Sequence, residues 1–236
     1  YVMPGFALAA AARDALAGRN DLHGLVCRHH GIFTWGETAK ESYDRMIAAV
    51  NACHALWEKQ RDPSRGSVSV EVVPDNVVQR ALAIAPALRG ALSPPSNDPD
   101  RPHRRVVLTF RGLDESLRAQ LDDPRLSKLA ERGVLTPDHV IRTKNLPLIL
   151  PDNRNETVEA FAVRARTSVA DYVRRYGQYL QRHRGSRELF VEDPYPRVVL
   201  MPGLGLFCAG ATKKDASIAA DIVEQSLAAR FAAEQL

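Results

Sequence analysis

The chain has 236 residues, 45% hydrophobic and 25% charged, enough to bury the core of one large domain or two small ones and too apolar for a disordered chain. The net charge of +4 is scattered; its densest runs, Arg101–Arg105 and Arg174–Arg187, match no nucleic-acid module and read as solvated surface, with an RNA-binding face as the competing reading. No apolar run approaches the roughly 20 residues that span a bilayer, and Cys27, Cys53 and Cys208 show no paired spacing, which predicts reduced, buried thiols in a cytoplasmic protein.

Pro4 to Ala17 is alanine-rich and predicts a helix ending near Gly18; it has no basic leader and is interrupted by Arg13 and Asp14, so it does not read as a targeting segment. Leu25, Val26 and Cys27 form an apolar run of the buried-strand type, and His29 and His30 stand where that strand must end. Gly31 and Gly36 bracket a tight excursion. Thr38 then offers a helix N-cap, with Glu41 three residues later completing a capping box. Tyr43, Met46, Ile47, Val50, Cys53, His54 and Trp57 follow at helical spacing, which places them on one face of a helix running to about Trp57.

Gln60 to Gly66 reads as a linker. Ser67–Val73 alternates like a strand, Asn76–Leu92 predicts a helix interrupted at Pro86, and Ser93–Pro102, with four prolines, reads as a polar loop that no regular element could hold. A strand at Arg105–Phe110 precedes helical sequence over Asp114–Arg132, split at Pro124 and ended by Gly133. Thr136-Pro137-Asp138 starts a turn, and Pro147 and Pro151 leave Val140–Leu150 partly extended. Asn155–His183 carries a persistent apolar stripe and predicts a long helix stopped at Gly185. Arg197–Met201 reads as a buried strand, Pro202–Gly210 as a glycine-rich turn, and Thr212–Ala232 as the last helix.

The last strand, turn and helix repeat the first. Setting Gly31 on Gly205 (205 − 31 = 174) also sets Phe33 on Phe207, Gly36 on Gly210, Thr38 on Thr212, Lys40 on Lys214 and Glu41 on Asp215 without a gap. The informative mismatch is His30, which falls on Leu204. What the two copies share is then structural, and His30 is what the fold does not require.

A lone histidine is more often structural than a ligand, but the motifs around it carry a resemblance. HHGIFTWGETAKESYDRMI, with YVMPGFALA, GVLTPDHVIRTKNLPLIL and DPYPRVVLMPGLGLFCAG, resembles the class II aldolase/adducin family, most closely its members joined to a short-chain dehydrogenase in bifunctional proteins of the rhamnulose-phosphate aldolase type. The resemblance implies an α/β protein built on a layered α/β/α sheet, with residues 1–66 the carboxyl-terminal part of one aldolase-like domain and 67–236 a degenerate second copy. It implies that His30 is a zinc ligand alongside two histidines of an earlier His-x-His motif. That motif, like the family's phosphate-binding and acidic residues, would precede the segment matching Tyr1, so the remaining ligands are expected outside this chain and the chain is expected to be a fragment. A divalent cation suits aldol cleavage because it stabilises the enolate as its charge develops.

The implied partners are a small sugar-phosphate-like substrate and other copies of the chain in a homo-oligomer, with no nucleic acid and no membrane. The alternative is a non-catalytic, adducin-like scaffold or oligomerisation module. His139, with Asp138, Arg142 and Lys144 nearby, is a weaker candidate for a relic of the second copy's site or an anion pocket, against a capping and surface-charge reading. His23, His54, His103 and His183 show no ligand spacing. The glycines at 203, 205 and 210 do not form GxGxxG and no Gly-x-Ser-x-Gly occurs, so a fused dehydrogenase would begin after Leu236.

Overall fold

The computed structural model describes residues 2–65, 76–183 and 193–236. The expected Ser67–Val73 strand and the Gly185 stop lie outside them. The chain divides into two compact units, one formed by Tyr1–Arg65 with Leu135–Pro137 and Gln235–Leu236, the other by Gly66–Val134 and Asp138–Glu234.

In the first unit, helix α1 (Phe6–Leu16) leads to strands β1 (Gly24–Cys27) and β2 (Gly31–Thr34) and then to helix α2 (Ala39–Gln60). The two strands form an antiparallel hairpin that pairs with no further strand of the described residues. Leu25–Cys27 is therefore not the buried strand its composition predicts: Val26 is 74% exposed. Helix α2 has the expected Thr38 cap, the Glu41 N–H donating to Thr38 Oγ1 at 3.1 Å, but the Glu41 carboxylate accepts from the Glu37 N–H, one residue before the cap, at 2.8 Å rather than closing the box on Thr38. Its apolar stripe lies largely in solvent, Tyr43 being 65% exposed, and Cys53 is exposed where a buried thiol was expected. No described residue of 2–65 is fully buried.

The second unit holds the core. Helix α3 (Val77–Leu92) runs through Pro86 without a break, because its inward residues Val77, Ala81, Ile84, Leu88 and Leu92 are all buried and their packing outweighs one missing backbone donor. Ser93–Pro102 is not a structureless loop: it folds into a short, irregular hairpin of β3 (Pro95–Asp98) and β4 (Arg101–His103), a two-stranded element whose prolines sit where edge strands tolerate them. Strand β5 (Val107–Arg111) follows, then α4 (Glu115–Asp122), capped by Asp114, and α5 (Leu126–Ala130). Val140 starts a short helix, α6 (Val140–Thr143), before β6 (Leu148–Ile149); α7 (Val158–His183), β7 (Val198–Met201), β8 (Gly205–Gly210) and α8 (Lys213–Ala233) complete it. The glycine-rich stretch is a turn only over residues 202–204, since from Gly205 it is strand.

The four-stranded sheet has the order β5-β8-β7-β6, antiparallel except that β6 runs parallel to β7. Successive side chains of a strand face opposite sides, and the two faces are separately filled. Val199, Met201, Phe207 and Ala209 pack with α3 and α7. Val198, Leu200, Leu206 and Cys208 pack with α4, α5 and α8. The result is the α/β/α layering expected. Burial pushes the Cys208 thiol far above its ordinary range, so it behaves as a small apolar side chain. No helix of the described residues is long and apolar enough to cross a membrane.

Candidate functional site

The two hairpins coincide residue for residue at the offset of the sequence repeat. In the first, Gly24 pairs with Thr34 and Cys27 with Gly31; in the second, Val198 pairs with Cys208 and Met201 with Gly205. Each turn is closed by one backbone bond, His30 N–H to Cys27 O at 2.9 Å and Leu204 N–H to Met201 O at 3.0 Å. The middle turn residue is left-handed in both, His29 at φ 69° and Gly203 at φ 85°. A histidine there costs about 1 kcal/mol relative to glycine. Both helices start from a threonine cap, and a Cβ on Gly36 or Gly210 would lie 2.8–2.9 Å from the side chain of Glu41 or Asp215. Those glycines let the strand end pass close over the capped first turn.

His30 is half-buried, and His29 is exposed. His30 Nε2 lies 2.8 Å from the carbonyl oxygen of Val2; a carbonyl only accepts, so Nε2 carries the hydrogen in this bond. Metal coordination through Nε2 and this bond exclude one another. The imidazole borders a cavity of about 360 Å³ between the hairpin turn and α1, walled by Cys27, Arg28 and the small apolar face of Leu8, Ala11 and Ala15. Among the described residues no group of three or more His, Cys, Asp or Glu side chains could hold a metal ion. The described residues supply the two imidazoles of His29 and His30 at this cavity and do not by themselves fit a zinc centre, which needs about three protein ligands.

At the matching turn of the second unit Leu204 is buried in the core. Polar groups that sequence reasoning missed gather around its backbone. Asp122 accepts from the Gly203 N–H at 2.6 Å, Arg154 reaches the Gly203 carbonyl at 3.5 Å, and the buried Arg118 donates to the Leu204 carbonyl at 3.4 Å. Nothing in their local sequence signals this, because the partners are 49 to 86 residues away. Below the turn, the Asp152 carboxylate is fully buried and held by Arg80 at 2.9 Å, and Arg164 beside Glu156 holds that carboxyl below the usual range. The first turn thus presents an imidazole to an open space, whereas the second is filled with leucine and pinned by arginines.

The residues around His139 are not brought together as an anion pocket. Arg142 pairs with Asp215 at 3.2 Å, and Lys144 donates to the Asp193 carbonyl while lying 5.1 Å from the Tyr176 ring centroid. His139 accepts from Thr143 through its backbone carbonyl, at 3.0 Å. His54 stacks on Trp57, and the His183 ring lies tilted against Tyr179 at 4.7 Å between centroids.

Residues 79–236 match the model of "Aldolase class II, second domain", and residues 1–57 match that of "Class II Aldolase and Adducin N-terminal domain". A curated relative, "Uncharacterized oxidoreductase YuxG" of Bacillus subtilis (strain 168), is 24% identical over 232 residues, covering 97% of this chain and 32% of that protein. The chain spans about a third of the length of the relative it matches. No solved structure matches.

Proposed function

This chain belongs to the class II aldolase family, and on that premise we propose that it serves a zinc-dependent aldol cleavage of a sugar phosphate or a related hydroxy-carbonyl compound, with His30 as one metal ligand once its Nε2 exchanges the Val2 carbonyl for the metal. The observation that carries the reading is the pair of hairpins with matched register and turn geometry in which one chemical group differs, His30 against Leu204. A side chain at a turn whose backbone does not need it supports a chemical role. The chain's own part is to hold that imidazole on the hairpin turn beside a cavity; the further ligands and the phosphate-binding groups are proposed to come from residues outside this sequence. The name of the relative, an oxidoreductase about three times as long, supports a protein in which a dehydrogenase domain accompanies the aldolase units. A homo-oligomer acting on a small molecule is part of the same proposal.

A non-catalytic scaffold is the second reading, favoured by the leucine at position 204. Elemental mass spectrometry on the protein in its full natural length separates the two. The expected result is about one zinc per chain, lost in His30→Ala with an unchanged circular dichroism spectrum and retained in Leu204→Ala. A protein without zinc, or one whose zinc survives His30→Ala, overturns the catalytic reading.

A further inference from the structure

The basic, tyrosine-bearing stretch of α7 lines a cavity of about 480 Å³ within the second unit, in the size range of small-molecule sites. Tyr172, Tyr176 and Tyr179, at helical spacing, form its aromatic wall, adjacent rings lying 5.6 Å and 5.4 Å apart between centroids. The first of these rings is fixed by its hydroxyl, which donates to the Leu146 carbonyl at 2.7 Å. Arg175 and Arg182 stand on the same side of the helix and border the same space. Neither makes an ion pair among the described residues, whereas their neighbour Arg174 is bridged to Asp171 at 3.0 Å. Glu131, at the end of α5, contributes a carboxylate from a different element.

The shape of the opposite wall selects the kind of ligand. It is formed by Leu146, Pro147 and Ile149 along the edge of β6 that no other strand pairs among the described residues. The N–H groups of Leu150 and Asp152 point inward to Leu200 and Pro202, so by the two-residue alternation positions 147, 149 and 151 face outward. Two of these are prolines, leaving one outward donor, too few for an extended peptide to add as a strand. Flat aromatic faces stack a planar ring, and paired guanidinium groups clamp a phosphate.

We propose that this cavity binds a small phosphorylated ligand with a planar ring, of nucleoside monophosphate size. The ring lies against the half-exposed Tyr179 and the apolar wall of Pro147 and Ile149, Tyr176 being buried behind it, the phosphate sits on Arg175 and Arg182, and Glu131 accepts from a hydroxyl or amine of the ligand. The site is independent of His30 and of the reaction proposed for it.

Isothermal titration calorimetry of the 236-residue chain with AMP tests this, with adenosine, inorganic phosphate and poly(U) titrated separately. The expected result is saturable one-to-one binding of AMP below about 1 mM, weakened at least tenfold in the Arg175→Ala/Arg182→Ala double variant and in Tyr179→Leu, and unchanged in His30→Ala. Both arginines are exposed, so the double variant folds, which circular dichroism verifies. Adenosine and phosphate alone bind at least tenfold more weakly than AMP. Absence of saturable AMP binding overturns the proposal, as does an affinity indifferent to the double variant or phosphate binding as tight as AMP. Binding of poly(U) without AMP binding also overturns it and makes the helix a strand-binding face.

Discussion

At residue scale the clearest contrast is between side chains whose role is local and those whose role depends on distant partners. Asp123 is of the first kind. Its buried carboxylate accepts from Arg125 two residues on, at 2.7 Å from Nη2 and 2.7 Å from the backbone N–H, and Arg125 holds its pKa below the ordinary carboxylate value. A depressed folded-state pKa contributes stability above the unfolded value and loses it as pH falls. Asp123→Asn is expected to lower stability by about 1–3 kcal/mol at pH 7. That difference should shrink once the pH drops below about 4, as followed by urea unfolding at a series of pH values. His30 stands out in the sequence because the repeat supplies its own control, a leucine at the same turn. Arg118 and Asp122 were not, since their partners Leu204 and Gly203 lie more than 80 residues away and no local spacing encodes that proximity.

At the scale of elements, the starts of α2, α4 and α8 are legible in the sequence because their caps, Thr38, Asp114 and Thr212, are written in adjacent residues. Thr212 accepts from the Asp215 N–H at 3.1 Å, the counterpart of Thr38 and Glu41. Thr212→Ala should cost about 1 kcal/mol, seen as a lower urea midpoint with an unchanged slope. Proline was the misleading signal. Pro86 predicted a break in α3, yet five buried apolar residues carry the helix past it, and the prolines of Ser93–Pro102 predicted a loop where a short hairpin forms. Both errors have one cause: backbone preference is a local term of a few kcal/mol, and tertiary burial and edge position decide against it. The glycines of Pro202–Gly210 likewise suggest a turn, while Gly205–Gly210 is buried strand over all six residues.

At the scale of the whole molecule, apolar periodicity told that Leu25–Cys27 and the α2 stripe want burial, but burial also needs covering elements, which a sequence pattern does not count. The second unit has them on both faces of its sheet, and the first does not bury one described residue fully. Hydrogen exchange should therefore separate the units. Amides of β7 and β8 are expected to exchange slowest, and those of β1, β2 and α2 faster by about a hundredfold or more. Comparable protection in both units would contradict this distribution of stability.

The bare hairpin of the first unit has one more consequence. Strands β7 and β8 are flanked by β6 and β5, whereas the same ribbon of β1 and β2 keeps an unpaired main-chain row along each flank among the described residues. Such flanks invite any extended segment that meets them, and Val26 and Phe33 add exposed apolar surface to the invitation. A strand added to pair with either flank is expected to lower the chain's tendency to self-associate, as read by light scattering at matched concentration.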